Sequence, residues 1–170
     1  MKIALSLRFI ICAIGLICLF SSCDDSDSFT EPDSDEDLIG SWVRIDRIPS
    51  GRTESDFRYF NMESTYRFGT DAQFSFTVDL YGFEDENPDE IIGSSVRKGT
   101  FEIVGDSIFF RDTETTSWEI GFRPEPETRI LSGERYGSRF TILERTLTLS
   151  YLSYPADAPV QTQMEYVRSD

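Results

Sequence analysis

From Leu38 onward, apolar and polar residues of this chain alternate. Phe74, Phe76, Val78 and Leu80 share one parity, and Ser75, Thr77 and Asp79 share the other. Leu147, Leu149 and Tyr151 alternate in the same way with Thr146, Thr148 and Ser150. A repeat of two places successive side chains on opposite faces, which is the pattern of a half-buried strand. It predicts strands over Tyr59–Phe68, Ala72–Phe83, Lys98–Val104, Ser107–Arg111 and Leu147–Tyr151. Further strands are expected near Gly40–Ile48, Ser117–Arg123, Arg129–Leu131, Ser138–Leu143 and Val160–Arg168.

Turn residues separate these runs. Gly69-Thr70-Asp71 and Gly105-Asp106 fall between paired runs, Gly133 and Gly137 bracket a turn, and loops rich in Pro, Asp and Glu are expected at Glu84–Glu90, Pro124–Glu127 and Pro155–Pro159. No stretch of a dozen residues carries a helical stripe. The fold class is therefore all-β: an antiparallel meander of about eight to ten strands closed into a barrel, with a sandwich as the alternative.

The first 37 residues follow other rules. Lys2 and Arg8 precede the uncharged run Phe9–Phe20, which is short against the roughly 20 apolar residues of a membrane-spanning helix. Small residues Ser21 and Ser22 follow, then Cys23. Basic, apolar and small regions in that order make residues 1–22 a secretory signal peptide. Ser21-Ser22-Cys23 resembles a lipobox, although Phe20 stands where Leu is usual. The resemblance implies that Cys23 carries lipid such as diacylglycerol and palmitate, and that the protein is an outer membrane lipoprotein of the cell envelope. More than one acyl chain makes such an anchor stable. A plain secretory signal is the alternative.

Residues 23–37 hold the lipidated cysteine and the tract DDSDSFTEPDSDED, with eight acidic residues. So charged a segment buries too little to offset its ordering entropy and reads as an extended tether. Acidic residues directly after such a cysteine also resemble a surface-export signal of some Gram-negative groups; a solvated spacer is the plainer reading. Residues 38–170 form a single domain by length.

Cys12 and Cys18 lie in the leader and Cys23 takes lipid, so the mature chain keeps no thiol for a disulfide or a metal. With the leader removed, 14 basic residues face 31 acidic ones, a net charge of −17; without the tether acids the domain carries −9. That charge repels nucleic acid and anionic lipid surfaces and would attract a basic protein. All the domain's basic residues but Lys98 are arginine, a bias the sequence does not account for.

The domain resembles the lipocalin-like domains of Gram-negative lipoproteins. The resemblance rests on Leu38-Ile39-Gly40-Ser41-Trp42, the hairpin Gly99–Phe110, Leu147-Thr148-Leu149 and Tyr166-Val167-Arg168. It implies that Arg168 covers the Trp42 indole as a structural plug for the closed end. Trp42 shares parity with Arg44 and Asp46, so either a bulge intervenes or the barrel interior is partly polar there.

The chain has no histidine, which removes Ser–His and Cys–His pairs, His-based metal sites and the commonest general base. Glu84-Asp85-Glu86-Asn87-Pro88-Asp89-Glu90 lacks the ligand spacing and central glycine of an EF-hand loop and reads as a solvated hairpin loop. No cofactor or metal is expected. Nine aromatic residues between Phe57 and Phe83 crowd two neighbouring strands; most are core, and Tyr66, Phe76 and Tyr81 are expected to line a ligand cavity. The expected function is non-catalytic binding of a small apolar ligand or an envelope partner. An inhibitor or accessory subunit of an envelope complex is the alternative, and a hydrolase using paired carboxylates is a third.

Overall fold

The computed structural model describes residues 35–51, 56–155 and 158–169. The expected signal peptide, Cys23 and most of the expected tether lie outside them. A one-turn 3-10 helix, Asp35–Asp37, precedes nine strands. These are β1 (Gly40–Ser50), β2 (Arg58–Phe68), β3 (Gln73–Phe83), β4 (Ile91–Val104), β5 (Ser107–Glu119), β6 (Arg123–Ile130), β7 (Arg135–Leu143), β8 (Thr146–Ser153) and β9 (Val160–Arg168).

Every pairing is antiparallel, running β4-β3-β2-β1-β9-β8-β7-β5, and β4 pairs with β5 to close the ring. Eight strands thus make a closed barrel, an architecture compatible with a lipocalin-like fold, and β6 is the extra strand. β5 makes this possible by using one edge twice. Ser107–Arg111 pair with β7, and Glu114–Glu119 pair with β6. Between them, Asp112 opposes Gly99 and Glu114 opposes Lys98, a bulge with Thr113 as the extra residue.

Two expectations are corrected here. Ser117–Arg123 is not a strand but the end of β5, a turn at Ile120–Phe122 and the first residue of β6. Pro124–Glu127 is not a loop but part of β6. β6 pairs along one edge only, and Pro124 and Pro126 are two apart, so both missing N–H groups fall on the free edge. Gly137 likewise lies within β7, and Asp35–Asp37 form a turn where the charge pattern predicts only extended tether.

The closed end is packed solid. Leu38, Trp42, Ile108 and Leu147 are fully buried, and Phe68, Phe74, Phe110, Phe140, Leu149 and Tyr166 nearly so. Their rings meet edge-on or stacked, Phe74 on Phe110 at 5.0 Å and Tyr66 on Tyr166 at 5.3 Å. The Trp42 indole N–H donates to the Leu38 carbonyl at 2.8 Å, which satisfies its polar atom inside the core.

Candidate ligand site at the mouth of the barrel

On β1 the inward positions are Trp42, Arg44, Asp46 and Ile48, with no bulge in the β1–β2 register. The interior is therefore polar above its aromatic floor. Arg44 grips Asp46 through two bonds, Nε to Oδ2 at 2.7 Å and Nη2 to Oδ1 at 2.6 Å. This pairing raises the Arg44 pKa and holds the Asp46 carboxyl below the usual carboxylate value. Their side chains stay 29% and 25% exposed although they point inward, so solvent enters the upper barrel. One reason is the short β1–β9 seam, whose register holds only Trp42 with Arg168 and Val43 with Val167.

Across the lumen a second pair forms between β4 and β5. Arg97 Nη1 lies 3.4 Å from Asp112 Oδ2, and the Tyr136 hydroxyl donates to Asp112 Oδ1 at 2.8 Å. The Arg97 guanidinium sits 4.8 Å over the Phe76 ring. Burial and the bond to Asp112 push the Tyr136 phenol upward. Tyr166 is pushed up to about 12, first by burial, and its hydroxyl and that of Tyr151 reach the Met164 thioether, at 3.7 and 3.5 Å.

Two clefts open beside this layer. One, of about 250 Å³, is lined by Val78, Leu80, Ser94, Ser95, Ser117, Trp118, Glu119, Phe122 and Arg123. The other, of about 360 Å³, lies between Arg97, Asp112 and Tyr136 and the segment 131–134 that joins β6 to β7. They share no lining residue.

None of the three residues expected to line a cavity borders either cleft. Tyr66 and Phe76 touch, with centroids 4.3 Å apart, but they belong to the packed floor. Tyr81 follows a register shift in β3 and takes the opposite parity to Val78 and Leu80. Its phenol is raised, first by burial and then by the charges of Glu63, Asp79 and Asp89. Alternation beside known apolar positions carried the signal for the cleft residues: Asp112 lies two after Phe110, and Arg97 two before Gly99 and four before Phe101. At the closed end, the Arg168 guanidinium lies 4.5 Å over the Trp42 ring and donates to the carbonyls of Ile39, at 3.1 Å, and Asp37.

Three carboxylates of the Glu84–Glu90 loop are bound by arginines: Arg47 holds Glu84, and Arg58 holds both Asp85 and Glu86. Among the described residues no three acidic groups converge as metal ligands would. Comparison with protein-family models, curated proteins and solved structures gives no match for this chain.

Proposed function

We propose that the chain is a lipid-anchored envelope lipoprotein whose lipocalin-like domain binds a small ligand and catalyses no reaction. The observation that carries the binding reading is the 250 Å³ cleft, where Val78 and Leu80 from the inner wall stand beside Phe122, with Trp118 at its border. Apolar burial there contributes about 25 cal/mol per Å² and would drive association. The hydroxyls of Ser95 and Ser117, register partners on the face of Val78, supply the few polar groups that fix orientation. The volume suits a ligand smaller than the drug-sized occupants of ~300–1,000 Å³ sites.

A hydrolase reading fares worse. Arg44 keeps the inward Asp46 ionised, the opposite of what a general acid needs. Asp112 is tied to both Arg97 and Tyr136. The anchor reading rests on Ser21-Ser22-Cys23 after a short apolar run. A protein partner is favoured by one separate feature: Ile120 and Ile130 stand exposed along the β5–β6 hairpin.

Trp42 is fully buried, whereas Trp118 borders the cleft and is the indole close enough to report on it. Titrating the full-length protein in detergent with uncharged N-phenyl-1-naphthylamine should quench Trp118 and brighten the probe beyond a protein-free blank of the same detergent, and Leu80→Asp should abolish both differences. No response in the wild-type protein would refute the apolar site. Metabolic labelling with a palmitate analogue should mark the wild-type chain but not Cys23→Ala. Equal labelling of both would refute the anchor.

A further inference from the structure

The 360 Å³ cleft is built by a feature that the barrel itself does not require. Segment 131–134 is inserted into the strand facing β5, opposite the Asp112–Thr113 bulge, and it is pinned at both ends. The Leu131 N–H donates to the Thr113 carbonyl at 2.9 Å, and Arg111 Nη1 donates to the Gly133 carbonyl at 3.0 Å. Gly133 has φ +72°, and a Cβ there would stand 3.1 Å from Arg111 Cγ, so the segment is held to one path by its glycine. Bulges of this kind re-aim side chains and are enriched beside functional sites. Here the bulge and its facing segment together present Asp112, Ser132, Glu134 and the Tyr136 ring to one space.

The chemistry of that space selects among ligands. Arg97 spends one nitrogen on a long contact of 3.4 Å and keeps its remaining N–H groups. Asp112 accepts from Tyr136 and from Arg97 and has lone pairs to spare, and its side chain is still 14% exposed. Glu134 makes no ion pair among the described residues, and Ser132 adds an exposed hydroxyl that both donates and accepts. The Tyr136 ring stacks on Phe110 at 5.3 Å and is 38% exposed, so part of it faces the cleft.

An anion would meet two carboxylates, and a simple ammonium would meet Arg97. A neutral ligand with adjacent hydroxyls meets neither obstacle. One O–H donates to a carboxylate, its neighbour accepts from the guanidinium, and a C–H face packs on the phenol ring. We infer that this second cleft binds a neutral polyhydroxylated ligand, a saccharide ring, between Arg97, Asp112, Glu134 and Tyr136. This site goes beyond the apolar one, since the two clefts have no lining residue in common.

The test is saturation-transfer NMR on the full-length protein, with cellotriose, maltotriose and N,N′,N″-triacetylchitotriose as neutral probes. Hexanoate and hexylamine serve as the anionic and cationic probes. At least one saccharide should receive saturation, and Asp112→Asn and Arg97→Met should each weaken its binding at least about tenfold. Tyr136→Phe, which removes one hydroxyl and keeps the ring, should weaken it less. The blank-corrected response to N-phenyl-1-naphthylamine should be unchanged in all three variants, which shows that the barrel is folded and that the apolar site is separate. No transfer to any saccharide, binding indifferent to Asp112 and Arg97, or binding of hexanoate or hexylamine instead would each overturn the proposal.

Discussion

Arg168 on β9 and Trp42 on β1 face each other in register, the guanidinium 4.5 Å above the indole, at a seam only two residue pairs long. The same guanidinium donates to the Ile39 and Asp37 carbonyls, so one side chain ties the last strand to the start of the first. Ser169 adds a backbone bond to the Ser41 carbonyl at 3.0 Å. With so few ladder bonds, closure of the barrel leans on this residue. Arg168→Met should cost about 2–4 kcal/mol, combining a cation–π contact with charge-assisted bonds to backbone oxygen. Arg168→Lys should recover less than half, because an ammonium lacks the planar fork. Urea denaturation of both variants checks this, and stability equal to wild type in either would contradict it.

The bulge opposite Gly99 makes a second expectation. A Cβ at Gly99 would stand 2.1 Å from the Arg111 carbonyl oxygen, which is backbone and cannot turn aside. A Cβ at Gly137 would stand 2.6 Å from Phe109 Cδ1, the edge of a ring that can rotate. Gly99→Ala should therefore cost about 3 kcal/mol and Gly137→Ala about 1 kcal/mol. Thermal denaturation should rank them in that order, and the reverse order would mean that the bulge is free to relax.

Alternation made the barrel legible. Val160–Arg168 coincides with β9, and Tyr59–Phe68 and Ser138–Leu143 differ from β2 and β7 only at their starts. What alternation could not show was the second half of β5, where Glu114, Thr115, Thr116 and Ser117 give no apolar parity because that part of the wall lines a wet lumen. Prolines hid β6 for a different reason: they exclude a central strand but not an edge. Aromatic density pointed to Tyr66 and Phe76; those rings sit in or against the buried cluster, and the two clefts are lined by other residues. The surplus of arginine over lysine also finds a cause only in three dimensions. Arg47, Arg58, Arg97, Arg123, Arg135 and Arg168 each lie over an aromatic ring, a contact suited to a planar cation.

Acid should weaken the barrel through Asp46. Its pKa lies below the ordinary 3.8 because Arg44 bonds it inside the lumen. A depressed carboxylate contributes stability that is full above its unfolded value and is lost as pH falls through the folded one. The wild-type unfolding midpoint should therefore hold steady between about pH 7 and pH 5 and decline below about pH 4. Asp46→Asn should lower stability at neutral pH by about 1 kcal/mol and flatten the acid decline. A variant as stable as wild type at neutral pH, with an unchanged acid decline, would assign the acid sensitivity to other carboxylates.

The last expectation concerns the stack of Gly137, Phe109 and Arg135 on the outer wall. Phe109 and Gly137 are register partners on β5 and β7, and the ring lies over the glycine, where no side chain competes. The Arg135 guanidinium then covers the ring at 3.6 Å and reaches Glu102 at 3.3 Å. Half-exposed ion pairs contribute little, so the stack should carry most of the arginine's contribution. Arg135→Lys keeps the charge and loses the planar contact, and should destabilise by about 0.5 kcal/mol. Glu102→Gln removes the ion pair and should change stability by less than that. In a Phe109→Leu background the effect of Arg135→Lys should vanish, because the ring that the guanidinium covers is gone. A double-mutant cycle by urea denaturation measures this coupling, and additive effects would mean that the contribution of the guanidinium does not run through the Phe109 ring.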